Sequence, residues 1–138
     1  MATEFGLSIV SPSTTIEAVR ATALTLPGSQ GYMTILPDHT AMVAELGIGE
    51  IVVTDATTKE KESLFVSGGF VEVKGDDIVV LADFVEKASN IDIEKAQASR
   101  EEALAALEGK KDRQSIESSA KLLKEADYRL KIAKGVAP

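Results

Sequence analysis

The chain changes its chemical character once, close to Ala88, and this change limits what it can fold into more than any other feature. All ten threonines and eleven of the twelve valines lie before Ala88, whereas ten of the eighteen alanines lie from Ala88 onward. β-Branched side chains lose χ1 freedom in a helix and suit a pleated surface; alanine does the reverse. The partition predicts an α+β chain, with a β domain over residues 1–87 and a helical segment over residues 88–138.

Upstream, Phe5–Val10 alternates apolar and polar side chains and stops at Ser11-Pro12-Ser13. Thr15–Leu26 continues the alternation, with Ile16, Ala18 and Val19 as inward candidates, and closes at Pro27-Gly28. Tyr32–Leu36, Ala41–Leu46, Glu50–Thr54, Glu62–Val66, Phe70–Val73 and Ile78–Leu81 read as further short strands. Pro37-Asp38-His39, Gly47 with Gly49, Asp55–Lys61, Gly68-Gly69 and Gly75-Asp76-Asp77 separate them. Strands recurring at about ten residues, with no helix between them, indicate an antiparallel β-sandwich or flattened barrel rather than a parallel α/β sheet.

Downstream, Asp92 has the position and chemistry of a helix N-cap, and Ile91 and Ala96 stand at the two positions of a hydrophobic staple. An apolar stripe at Ile93, Ala96, Ala103, Leu104 and Leu107 follows, broken by Gly109 and the polar run Lys110–Arg113. A second stripe runs through Ile116, Ala120, Leu123, Ala126, Leu130 and Ala133, with Asp112 and Ser115 both candidates for its cap. A short break between two helices predicts an antiparallel two-helix hairpin. Stripes built largely of alanine bury little area, so the hairpin needs a surface to pack on, either the sheet or a partner. The first helix is net acidic (five acids and two bases over Asp92–Glu108) and the second net basic (three acids and five bases over Gln114–Lys134), which favours their antiparallel pairing.

Charge and composition exclude several functions. With a net charge of −7 and a pI near 4.8, the chain lacks the basic surface of a nucleic-acid binder. No run approaches the ~18 apolar residues of a membrane span, and Met1-Ala2-Thr3-Glu4 lacks the basic and apolar segments of a signal peptide. There is no cysteine, and the one histidine, His39, falls in a turn-rich loop with no second histidine to complete a metal set. Neither a Walker A nor a Gly-x-Gly-x-x-Gly pattern is present. The acidic pairs Asp76-Asp77 and Glu101-Glu102 read as a hairpin turn and a solvated helix surface. The expectation is a protein with no catalytic residues, metal or tightly bound cofactor.

Several segments, in order, resemble the epsilon subunit of the F-type ATP synthase: Leu26–Gly31, Ile35–His39, Phe65–Val73, Val80–Asp83 and Ile91–Ala96. The resemblance implies a non-catalytic rotor subunit on the cytoplasmic face of a bacterial inner membrane, linking the gamma subunit to the c-ring. Tyr32 and His39 would face that ring. The hairpin would fold down or extend into the catalytic head, where Lys121, Lys124, Arg129 and Lys131 would meet the alpha and beta subunits and obstruct ATP hydrolysis. Where the family commonly has Gly-Glu-Leu-Gly-Ile, this chain has Gly31-Tyr32-Met33-Thr34-Ile35, and Asp38 replaces a glycine in the Pro37–His39 turn.

Some family members also hold ATP against the folded hairpin. The matching positions are Glu86, Ile91, Asp92, Ala96 and Arg129, but the motif arginine is Lys95, and two further basic positions are Glu102 and Glu125. Lysine keeps the charge and loses the planar fork, and two carboxylates repel a triphosphate. The implied ATP site is therefore weak. The alternative reading of the chain is an ATP-sensing module that closes its hairpin on bound nucleotide; the plainer reading of Ile91–Ala96 is a helix start.

Overall fold

The computed structural model describes residues 3–109 and 112–135, which places Lys110 and Lys111 of the expected helix break outside the described residues. The chain divides into two compact units, Met1–Lys87 and Ala88–Pro138.

The first unit contains six strands: β1 (Phe5–Ser11), β2 (Thr14–Gly28), β3 (Gly31–Ile35), β4 (Met42–Asp55), β5 (Lys61–Lys74) and β6 (Asp77–Lys87). Their order is β1-β6-β5-β4-β2-β3, and β1 also pairs with β2, which closes the sheet into a barrel. β2 makes the closure possible. Its first half pairs with β1 and its second half with β3, while β4 pairs with it from Ala21 onward. All ladders are antiparallel except β1–β6, which is parallel. Closure leaves few unpaired edge groups, which suits a sheet this rich in β-branched residues. The core consists of inward side chains from every strand, among them Phe5, Ile9, Leu24, Ile51, Leu64 and Val80.

Six strands replace the eight expected because two glycine signals do not break the chain. β4 runs through Gly47 and Gly49, and β5 runs through Gly68 and Gly69, in an unshifted register with each other from Met42↔Val73 to Thr54↔Lys61. Gly68 (φ 77) and Gly69 (φ 129) take conformations that other residues adopt only with strain, and a Cβ on Gly69 would strike the backbone of Leu81 and Ala82. Here the glycines permit a close approach of β5 to β6 rather than a turn. The β5–β6 turn itself is Gly75-Asp76, so Asp77 opens β6 instead of belonging to the turn. In β2 the inward set also differs: Ala18 is exposed, whereas Val19 and Ala21 face the core.

The second unit begins with a short 3₁₀ turn at Ala88–Asn90, followed by α1 (Ile93–Gly109) and α2 (Arg113–Ala133). The Asp92 carboxylate accepts from the Lys95 N–H at 3.1 Å, and its carbonyl accepts from the Ala96 N–H at 3.0 Å, so Asp92 caps α1. Ile91 and Ala96, on either side of the cap, are both buried. Asp112, rather than Ser115, caps α2: its carboxylate accepts from the Ser115 N–H at 2.9 Å. The buried faces are narrower than the apolar stripes. Ala96 and Ala103 are buried in α1, and Ser119, Ala126, Leu130 and Ile132 in α2. Ile93, Leu104 and Ile116 are each more than a third exposed, and Ala120 yields its inward place to Ser119.

Candidate functional site

The barrel presents an apolar strip on its outer surface. Phe70 on β5 lies directly across from Leu81 on β6, and Val43 on β4 lies two residues from Glu45, the other cross-strand partner of Phe70. These side chains are 50%, 52% and 66% exposed, while the alternate residues Val71, Val73 and Val80 fill the core. Large apolar side chains adjacent across three strands and exposed to water mark a contact surface more often than isolated exposed residues do. The signal was available in the alternation of Phe70–Val73, since placing Val71 and Val73 inward turns Phe70 outward.

A second surface involves Tyr32. Its ring is 43% exposed, but its hydroxyl accepts from the Glu50 N–H at 2.9 Å. The bond falls where β2–β4 pairing lapses, between Thr25↔Val52 and Gly28↔Leu46. Tyr32 therefore supplies the acceptor that a missing ladder bond would have provided. Gly49 leaves space for it, because a Cβ there would collide with the Tyr32 hydroxyl and with Pro27. Thr34 stays in extended backbone within β3, and the positive φ of this segment is taken by Gly31. Asp38 has φ 66, the left-handed conformation that aspartate tolerates among non-glycine residues. His39 is half-buried beside it, with Nδ1 2.7 Å from the Thr40 carbonyl oxygen, which that ring nitrogen approaches as a donor.

The residues matched to a nucleotide site are divided between the two units. Glu86 is half-buried on β6, whereas Ile91, Asp92 and Ala96 share the start of α1 and Arg129 is half-buried on α2. Asp92 uses one carboxylate oxygen for its cap, and Lys95 contributes the backbone N–H that the cap receives. Among the described residues no group of three or more His, Cys, Asp or Glu is arranged to hold a metal ion, and no helix is long and apolar enough to cross a membrane.

On α2, Lys121, Lys124 and Lys131 are exposed, and their spacing of three and seven residues places them along one side of the helix. Arg129 lies on a different side. The Lys131 ammonium sits over the Tyr128 ring, 5.5 Å from its centre. Lys124, Tyr128 and Lys131 border a groove of about 300 Å³ whose remaining lining is Ala120, Leu123 and Asp127. Asp127, in the same lining, accepts from Nε of Arg100 on α1 at 2.6 Å. The bridge uses a base of the acidic helix and an acid of the basic helix. Pairing is thus local, between two facing side chains, and opposite in polarity to the net charges of the helices.

These features define a β-barrel module with an exposed apolar strip on its outer surface, followed in the chain by a small, lightly packed helical unit. Residues 4–88 match the beta-sandwich domain of the ATP synthase Delta/Epsilon chain. The ATP synthase epsilon chain of Lawsonia intracellularis is 41% identical over 73% of this chain and 74% of its own length, and that of Moorella thermoacetica is 32% identical over 92% and 94%. The fold is also that of a chain in the Euglena gracilis mitochondrial ATP synthase, with TM-score 0.82 at 22% identity, covering 92% of this chain and 79% of the other. The chain belongs to the ATP synthase epsilon-chain family.

Proposed function

We propose that this protein is a non-catalytic subunit of the ATP synthase central stalk, in which the barrel attaches to the gamma subunit and the c-ring and the hairpin restrains ATP hydrolysis. The Val43–Phe70–Leu81 strip carries the attachment half of this reading, because a rotor subunit must hold torque-bearing neighbours through a water-excluding surface. Tyr32 and His39 are the ring-facing candidates. The chain would then lie peripherally on the cytoplasmic face of a bacterial inner membrane through its complex. Phe70→Glu and Leu81→Glu each place a charge in the strip while leaving the core untouched. Both variants should fold normally in isolation and be lost from the purified complex; retention at wild-type stoichiometry would contradict attachment through this face.

The hairpin half rests on the exposed basic row Lys121, Lys124 and Lys131, together with Arg129, which suits acidic surfaces of the alpha and beta subunits. Light packing supports a conditional arm. Apart from Leu130 and Ile132, the buried side chains of α1 and α2 are alanines and one serine, so opening the pair exposes little apolar area. Weak ATP is the only ligand this reading admits. Glu102 is exposed and Glu125 half-buried where cations would be needed, and Lys95 offers no bidentate fork. Titration of the free chain with ATP should give neither heat nor a thermal shift at concentrations well below millimolar. Saturable binding in the micromolar range would instead favour a nucleotide sensor.

A further inference from the structure

One end of the barrel contains an arrangement that neither attachment nor inhibition uses. Glu17 lies on the same side of β2 as the inward residues Val19 and Ala21, and its ladder partner on β1 is the fully buried Ile9. Its side chain is only 11% exposed, and one carboxylate oxygen, Oε2, is buried without a hydrogen-bond partner. Lys87, the last residue of β6, brings its ammonium to 3.7 Å from Glu17 Oε2 and 3.5 Å from Glu62 Oε1 on β5. One cation therefore serves two carboxylates from different strands, at the residue from which the chain leaves the barrel.

We propose that Glu17, Glu62 and Lys87 form a proton-operated plug, tight when the two carboxyls hold one proton between them and loosened when both ionise. With one proton the trio is neutral and each polar head can find a partner. With none it carries a net negative charge, and the second carboxylate remains beside the first in a partly dehydrated position. Burial and the adjacent Glu62 carboxylate push the Glu17 carboxyl above its ordinary value of 4.5, and Lys87 and the Ala18 N–H offset this only in part. β1 has no titratable side chain, Arg20 on β2 pairs with Glu4 at 3.0 Å, and Asp55 on β4 accepts from Thr57 and Thr58. A carboxyl raised by folding makes its stabilising contribution at low pH and loses it as pH rises through the folded value. The plug should therefore tighten as pH falls toward 4.5.

The test is residue-resolved hydrogen exchange on the intact chain across this pH window, corrected for intrinsic rates, together with carboxyl-carbon NMR of Glu17. Amides at the end of β6 and around Glu17 and Glu62 should lose protection several-fold as pH rises, and Glu17 should titrate above an ordinary glutamate. Glu17→Gln should hold the low-pH protection at every pH. Lys87→Met, which removes the shared cation, should steepen the loss. Flat protection in the wild type, or a Glu17 that titrates normally, would overturn the proposal.

Discussion

Tyr32 shows how one side chain can stay exposed to solvent and still complete the hydrogen bonding of the sheet. Its ring faces solvent while its hydroxyl replaces a ladder bond for the Glu50 N–H, and Gly49 keeps the space open. Tyr32→Phe leaves a part-buried donor unpaired and should cost about 1 kcal/mol of stability. Denaturant unfolding measures this directly, and an unchanged midpoint would mean that water replaces the hydroxyl. Much at this scale was legible in sequence. The Asp92 cap, its flanking Ile91 and Ala96, and the tolerance of Asp38 for positive φ all depend on residues within five positions of each other. The Tyr32–Glu50 bond, by contrast, joins residues eighteen apart through a lapse in strand pairing, and no local pattern encodes such a lapse. The Glu17 position escaped for a related reason: a register shift between Ile9 and Val10 changes which β2 residues face inward, so plain alternation misplaced Ala18.

At the scale of elements, the glycines in β4 and β5 and the ion pair in the hairpin are the instructive cases. Glycine within an apolar run signals either a turn or a close backbone approach, and only the neighbouring strand decides between them. Here β6 decides, by passing close to Gly69 with Leu81 and Ala82. The helices and four of their buried residues (Ala96, Ala103, Ala126 and Leu130) were legible from periodicity, but the exchange of Ala120 for Ser119 was not, because alanine and serine compete nearly equally for a tight interface. Arg100 and Asp127 form an ion pair across that interface, with side chains 38% and 40% exposed. A double-mutant cycle of Arg100→Ala and Asp127→Ala should therefore give a coupling of about 0.2–1 kcal/mol for hairpin opening, followed by exchange of α1 and α2 amides. Coupling near zero would assign hairpin closure to packing alone.

For the whole molecule, the composition change at Ala88 and the unit boundary after Lys87 coincide, which ties an amino-acid preference to the division of the chain into two units. The β unit has a closed ladder system and a continuous core, which under the proposed function would let it transmit force without deforming. The helical unit has few large buried side chains and two end caps, which let each helix persist while its packing remains cheap to change. Attachment and restraint should then be separable by cutting between the units. The direct measurement compares ATP synthase complexes assembled with the full chain and with a chain ending at Lys87. The shortened chain should remain in the complex while ATP hydrolysis rises; loss of the shortened chain, or unchanged hydrolysis with the chain retained, would contradict the assignment of attachment to the barrel and restraint to the hairpin.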